Sequence, residues 1–181
     1  MKTLLHICCA PCANMCVDSL RGEGIDVTGF WYNLNIHPYT EYRARRDTLK
    51  TYADAVHLPL VLDNRYALRP FIRAVSDDIA NRCIHCYELR LYEAAEYAAA
   101  NGFDSFSTSL LISPYQKHDL IRQVGQAAAA ASGITFVYRD FRPLFRQGQR
   151  RAREMGMYMQ KYCGCIFSEE ERYVKRKKII P

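Results

Sequence analysis

Short β-branched and aromatic runs alternate with longer helical stretches along most of the chain, and that alternation restricts the fold more than any other feature. Leu4–Ile7, Asp26–Tyr32, Leu60–Leu62, Ser105–Thr108 and Thr135–Tyr138 read as five strands. Helical patterns lie between them, at about Ala13–Arg21, Thr40–Val56, Arg69–Val75, Cys86–Asn101 and Gln116–Ser132. Gly22, Gly102 and Gly133 are placed to stop three of these helices. Such alternation predicts an α/β fold, a single domain whose parallel sheet is flanked by helices. The tail departs from the pattern. Gln147–Met155 reads as a helix, Cys163-Gly164-Cys165 as a tight turn, and Ser168-Glu169-Glu170-Glu171 as a capping box opening a last helix.

The first strand runs directly into Cys8-Cys9-Ala10-Pro11-Cys12. In an open α/β sheet the loop leaving the first strand is a favoured ligand position. Many such proteins place a glycine-rich phosphate loop there; this chain places thiols. No apolar run approaches the roughly 18 residues that span a bilayer, and the N-terminal apolar segment is too short for a secretory signal. A cytoplasmic protein without a membrane partner is therefore expected. At 181 residues it needs no disulfide staples, and in a reducing compartment clustered cysteines point to metal or redox chemistry.

The cysteines fall into three groups: Cys8, Cys9, Cys12 and Cys16; Cys83 and Cys86; Cys163 and Cys165. The CxxC pair Cys83-Ile84-His85-Cys86 suits one metal centre or a redox disulfide. Adjacent Cys8 and Cys9 do not readily aim at one ion, which favours a larger centre or two neighbouring ones. Cys83 and Cys86 with two of Cys8, Cys9 and Cys12 complete a four-thiolate set for zinc or an iron–sulfur cluster. The thiol left over, with Cys163 and Cys165, remains for a second metal or a dithiol–disulfide relay. Cys16, one turn beyond Cys12, reads as a core thiol. His6 reads as a packed core residue, and His85 as a group placed to tune the CxxC pair.

The net charge is +6, and its distribution matters more than its size. Arg139, Arg142, Arg146, Arg150, Arg151 and Arg153 form a basic stripe interleaved with Phe141, Phe145, Tyr158 and Tyr162, and Lys175-Arg176-Lys177-Lys178 ends the chain. Cations with aromatic side chains between them suit an RNA backbone and its bases.

Taken in order, several segments resemble one family, the epoxyqueuosine reductases of the QueH type. They are His6-Ile7-Cys8-Cys9-Ala10-Pro11, Tyr32-Asn33-Leu34-Asn35-Ile36-His37-Pro38, Glu41-Tyr42-Arg43-Ala44-Arg45-Arg46, Arg82-Cys83-Ile84-His85-Cys86-Tyr87, Phe106-Ser107-Thr108-Ser109-Leu110-Leu111, Ser113-Pro114 and Tyr162-Cys163-Gly164-Cys165-Ile166-Phe167-Ser168. The resemblance implies an adenine-nucleotide α-hydrolase-like (HUP-like) architecture without nucleotide. It implies an oxidoreductase that reduces epoxyqueuosine to queuosine in the anticodon loop of tRNA, the last step of queuosine formation, with electrons from an external donor. The implied cofactors are a [4Fe-4S] cluster and one additional iron or other metal. Carried onto this chain, the resemblance makes Cys8, Cys9, Cys83 and Cys86 the cluster ligands, with Cys12 a competing metal ligand. Cys163 and Cys165 become the redox-active pair or second-metal ligands. Arg45, Arg46, Arg142, Arg146, Arg150 and Arg151 are the expected tRNA contacts, and Tyr32, Tyr87 and Tyr162 the candidate proton donors. Two other classes compete: a zinc-binding RNA module, and a tRNA thiolation enzyme of related fold. The second needs an ATP site, yet no glycine-rich loop follows the first strand.

Overall fold

The computed structural model describes residues 1–174. The Lys175–Lys178 run lies outside them. Five parallel strands form one sheet: β1 (Lys2–His6), β2 (Asp26–Trp31), β3 (Leu60–Leu62), β4 (Ser105–Thr108) and β5 (Thr135–Phe136), in the order β3-β2-β1-β4-β5. The helices are α1 (Ala10–Gly22), α2 (Tyr39–Ala55), α3 (Leu68–Val75), α4 (Arg82–Ala100), α5 (His118–Ser132), α6 (Phe145–Glu154) and α7 (Ile166–Tyr173). The expected α/β class is the one found.

β1 is central and pairs with β2 on one side and β4 on the other. Both its faces are covered, so it needs apolar residues in succession rather than in alternation, and Leu4, Leu5 and Ile7 are all fully buried. Burying each such side chain contributes about 1.5–3 kcal/mol. β4 carries three small hydroxyl residues around Phe106, and its buried hydroxyls are matched. Thr3 Oγ1 lies 2.8 Å from Ser105 Oγ, and Ser107 Oγ donates to the Val137 carbonyl at 2.8 Å. α5 packs closely on β5 at Gly125. A Cβ on Gly125 of α5 would lie 2.5 Å from the Phe136 ring.

Helix boundaries differ from the sequence reading where the thiols sit. α1 starts at Ala10 rather than Ala13, because Pro11 is tolerated in an opening turn whose N–H groups have no intrahelical partner. α4 starts at Arg82, so Cys83 and Cys86 both belong to its opening turns. α7 starts at Ile166 with Cys165 as N-cap, which corrects the capping-box reading. Ser168 Oγ donates to the Cys165 carbonyl at 2.7 Å and accepts from Gly164 N at 3.1 Å instead. Consequently, all three thiol groups stand at helix N-termini.

The strand order reverses between β1 and β4, and the crevice beyond their carboxyl ends is the topological switch point. Cys8 and Ser109 face each other there. Cys8 N donates to Ser109 Oγ at 3.3 Å, and at the end of β1 the His6 ring is 2.9 Å from Thr108 Oγ1.

Candidate metal centre and substrate cavity

Cys8, Cys9 and Cys12 are buried, with sulfur atoms all within 4.8 Å of one another. Cys9 is the extended N-cap of α1 and Cys12 lies three residues into the turn, an arrangement that lets adjacent residues converge after all. The Cys8 and Cys9 sulfurs are 3.8 Å apart. Zinc–thiolate bonds of about 2.3 Å in a tetrahedron set sulfurs about 3.8 Å apart, so this trio also matches a single ion. The side-chain amide of Gln160 donates to Cys9 Sγ at 2.9 Å and to Cys12 Sγ at 3.5 Å. Hydrogen bonds from Cys12 and Cys9 hold the Cys8 thiol well below its ordinary value, and the Arg90 charge acts in the same direction. Burial pushes the Cys9 thiol up.

Cys83, Cys86, Cys163 and Cys165 line a second, smaller cavity of about 180 Å³ together with Arg82, Tyr87, Arg90 and Gln116. Burial raises the Cys86 thiol to about 12, against the pull of Arg90. Cys163 is the one exposed cysteine of the eight, and Gln116 Nε2 donates to its sulfur at 3.3 Å. Its loop is fastened from below. Arg45 donates to the Tyr162 and Cys163 carbonyls at 3.0 and 2.9 Å, His37 N donates to the Gly164 carbonyl at 2.8 Å, and Tyr162 Oη donates to the His37 carbonyl at 2.7 Å. Gly164 has φ +152, a conformation that glycine adopts without strain.

A larger cavity of about 670 Å³ opens over the first group. Cys8, Cys12 and Cys163 line it, and Cys163, Gln116 and Tyr115 line both cavities. Arg146, Arg153, Lys161 and Arg172 also line the larger one. All four are exposed, and among the described residues none forms a salt bridge. Tyr115, 85% exposed, meets Phe145 edge-on with ring centroids 5.9 Å apart. Thiols, an aromatic pair and unpaired cations therefore share one opening.

The family model described as "Epoxyqueuosine reductase QueH" matches residues 3–171 of this sequence. The chain belongs to the QueH family. Membership makes it an oxidoreductase. A relative from Dehalococcoides mccartyi named "Epoxyqueuosine reductase QueH" is 35% identical over 174 residues, covering 96% of each chain. One of the same name from Thermotoga maritima is 34% identical over 189 residues, covering 97% of this chain and 94% of the relative. Among solved structures, a chain described as a predicted subunit of a tRNA methyltransferase from Methanocaldococcus jannaschii aligns with TM-score 0.53 at 11% identity, over 84% of this chain and 76% of that one. That likeness concerns the fold alone.

Set against the QueH expectations, the geometry regroups several residues. Cys16 is fully buried, donates to the Cys12 carbonyl at 3.3 Å and is a core thiol as expected. His85 corrects its reading as a tuning group: it is exposed beside Glu88 and lines a different cavity with Tyr32 and Glu93. Tyr32 lines that same cavity, Tyr162 spends its hydroxyl on a carbonyl, and Tyr87 donates to Gln116 Oε1 at 2.6 Å.

The six arginines expected at tRNA differ in what their guanidiniums already hold. Arg45 is 1% exposed and committed to Glu41 and two loop carbonyls, so it has no free face for a phosphate. Arg46 pairs with Asp47, Arg142 with Asp140, Arg151 with Asp18, and Arg150 lies 4.0 Å from Glu154. Of the six only Arg146 faces the cavity with a free guanidinium. Phe141 is core rather than a stacking surface. Arg153 repeats Arg146 at two helical turns, a spacing the sequence displays; Arg172, Lys161, Gln116 and Gln160 carried no signal that marks them.

No helix among the described residues is long and apolar enough to cross a membrane.

Proposed function

We propose that this chain reduces epoxyqueuosine to queuosine in the anticodon loop of tRNA, using a [4Fe-4S] cluster held by Cys8, Cys9, Cys83 and Cys86. The observation that carries this reading is the shared opening, where thiols form the floor and an aromatic pair and four cations form the rim. The donor set suits an anionic iron–thiolate group. Its sulfurs stand at the N-termini of α1 and α4, where the helix dipoles favour thiolate, and the buried Arg90 donates to the Cys86 sulfur. Such a cluster, when bound, supplies electrons one at a time.

The chain's own residues do the rest. Arg146, Arg153, Lys161 and Arg172 grip the loop phosphates. Tyr115 and Phe145 stack the extruded base and hold it over the thiols. Opening the epoxide to an alkene takes two electrons and two protons and releases the oxygen as water. Cys163 and Cys165 cycle between dithiol and disulfide, so that Cys163, exposed at the junction of the two cavities, can accept electrons from an external donor. Tyr87 lines the smaller cavity and donates to Gln116 Oε1 at 2.6 Å, and Gln116, which lines both cavities, donates in turn to Cys163.

A second reading has its own observation: the close spacing of Cys8, Cys9 and Cys12 fits one ion, either a zinc in a structural RNA module or the additional iron beside the cluster. One experiment separates these readings. Anaerobically purified protein is expected to be brown, to contain iron and sulfide, and to convert epoxyqueuosine-containing tRNA to queuosine-containing tRNA with a reductant, as read by nucleoside analysis. Colourless protein with stoichiometric zinc and no conversion overturns the proposal.

A further inference from the structure

We infer that Arg90 is a fixed counter-ion of the thiol site, retained in the interior to hold an anionic metal–thiolate group and to raise its reduction potential. Arg90 is 2% exposed and sits on α4 one turn beyond Cys86. Its Nε donates to the Cys86 carbonyl at 2.8 Å and its Nη2 to the Cys86 sulfur at 3.1 Å. The guanidinium also lies 5.7 Å from the Tyr87 ring centroid. The contrast with Arg45 is informative. Both are fully buried, but Arg45 has the Glu41 carboxylate at 2.7 Å, whereas among the described residues no carboxylate forms a salt bridge with Arg90. Arg90 instead shares the smaller cavity with the thiols of Cys83, Cys86, Cys163 and Cys165 and the Tyr87 side chain, and of these the Cys86 sulfur is hydrogen-bonded to it.

A neutral thiol does not compensate a buried cation, and an apolar side chain of similar volume would fill the space at less cost. The arrangement makes sense when the missing negative charge arrives with a bound group. A cation hydrogen-bonded to a ligand sulfur stabilises the more negative, reduced state of that group, so it raises the potential and eases electron uptake. Arg90 is then a positioning and tuning residue that need not touch the substrate.

This inference rests on the reading of a redox-active iron centre. The test compares wild-type protein with Arg90→Met, Arg90→Gln and Arg90→Lys, each reconstituted anaerobically with iron and sulfide. Metal content is measured first, then the potential by optical titration against redox mediators. Arg90→Met and Arg90→Gln are expected to load less iron or to shift to a more negative potential; a tenfold loss of the reduced state is 59 mV for one electron. Arg90→Lys is expected to retain loading and most of the wild-type potential. Wild-type loading and potential in Arg90→Met or Arg90→Gln overturn the inference, and so does Arg90→Lys behaving like Arg90→Met, which would assign the effect to shape. Zinc in the wild-type protein overturns the iron reading beneath it, a distinguishable result.

Discussion

The strongest structural prediction concerns Arg45, whose sequence context suggests RNA contact and whose surroundings assign it another task. Arg45 Nε and Glu41 Oε1 are 2.7 Å apart, with side chains 1% and 7% exposed. The guanidinium also carries the carbonyls of Tyr162 and Cys163, and Glu41 accepts in addition from the Tyr158 hydroxyl. Removing one member of a buried pair costs about 3–5 kcal/mol, because the other charge stays in the interior unpaired. Arg45→Met should therefore destabilise the protein by about 4 kcal/mol. That is a large part of the roughly 5–15 kcal/mol available to a domain, yet it leaves a folded population.

The double variant Glu41→Leu/Arg45→Met no longer strands a carboxylate, and should be more stable than Arg45→Met alone. It still lacks the donors that fasten the Cys163 loop, so Cys163 should be alkylated faster by iodoacetamide than in the wild type in both variants. Denaturant unfolding of the metal-free protein supplies the free energies, and mass spectrometry of the labelled peptide supplies the rates. A cost for Arg45→Met below about 1 kcal/mol, the range of exposed ion pairs, would refute the argument. So would a change in the salt dependence of tRNA binding with stability and labelling unaltered, since that would make Arg45 an RNA contact.

Other outcomes follow from the same geometry. Arg146→Ala with Arg153→Ala should reduce the slope of log affinity for tRNA against log salt by about 1.4–1.8, whereas Arg142→Ala with Arg151→Ala should leave it near the wild-type value, as filter binding across a salt series would show. Burial lowers the His6 imidazole from 6.5 to about 4, so between those values the unfolded chain binds a proton that the folded chain refuses. Stability should then fall by about 3 kcal/mol from this group as pH drops through that window, and His6→Gln should flatten that part of a pH–denaturation profile. Gly125→Ala gains about 1 kcal/mol of helix propensity but drives a methyl into the Phe136 ring, where overpacking costs about 1–3 kcal/mol; a lowered melting temperature is expected. Cys16→Ala should leave reconstituted iron content unchanged.

What the sequence revealed depended on the range of the interaction involved. The five strands were legible because each is a short local run, and their parallel pairing followed from the helices between them. The rims of the elements were not. Cys9 as N-cap of α1 and Cys165 as N-cap of α7 depend on how the chain enters each helix, and the apparent capping box at Ser168 competed with the turn that Gly164 makes. The arginine stripe could have been divided by helical period, since Arg146 and Arg153 lie two turns apart while Arg151 points to Asp18 on α1. Arg90 also left a trace: it falls in the buried stripe of Cys86, Leu91, Ala94 and Ala98, where a cation is out of place. Cys86 is one turn away, but only the fold brings Cys163 and Cys165 into the same cavity.

The N-terminus of α1 shows why the switch point serves thiols here rather than a nucleotide. A phosphate cradle needs several free backbone N–H groups at a helix start and a backbone that the anion can approach closely. At this position Pro11 removes one donor, the Cys8 N–H is taken by Ser109, and the Cys8, Cys9 and Cys12 side chains occupy the approach. These features count against ATP-dependent thiolation as the chemistry of this chain. The dipole that would have favoured a phosphate remains, and it acts on sulfur instead. Three helix starts carry cysteines at the N-cap or in the opening turn, and among the described residues the buried arginine without a carboxylate partner is Arg90, in contact with a thiol. A scaffold that elsewhere suits phosphate anions therefore keeps its preference for negative charge and applies it to thiolates.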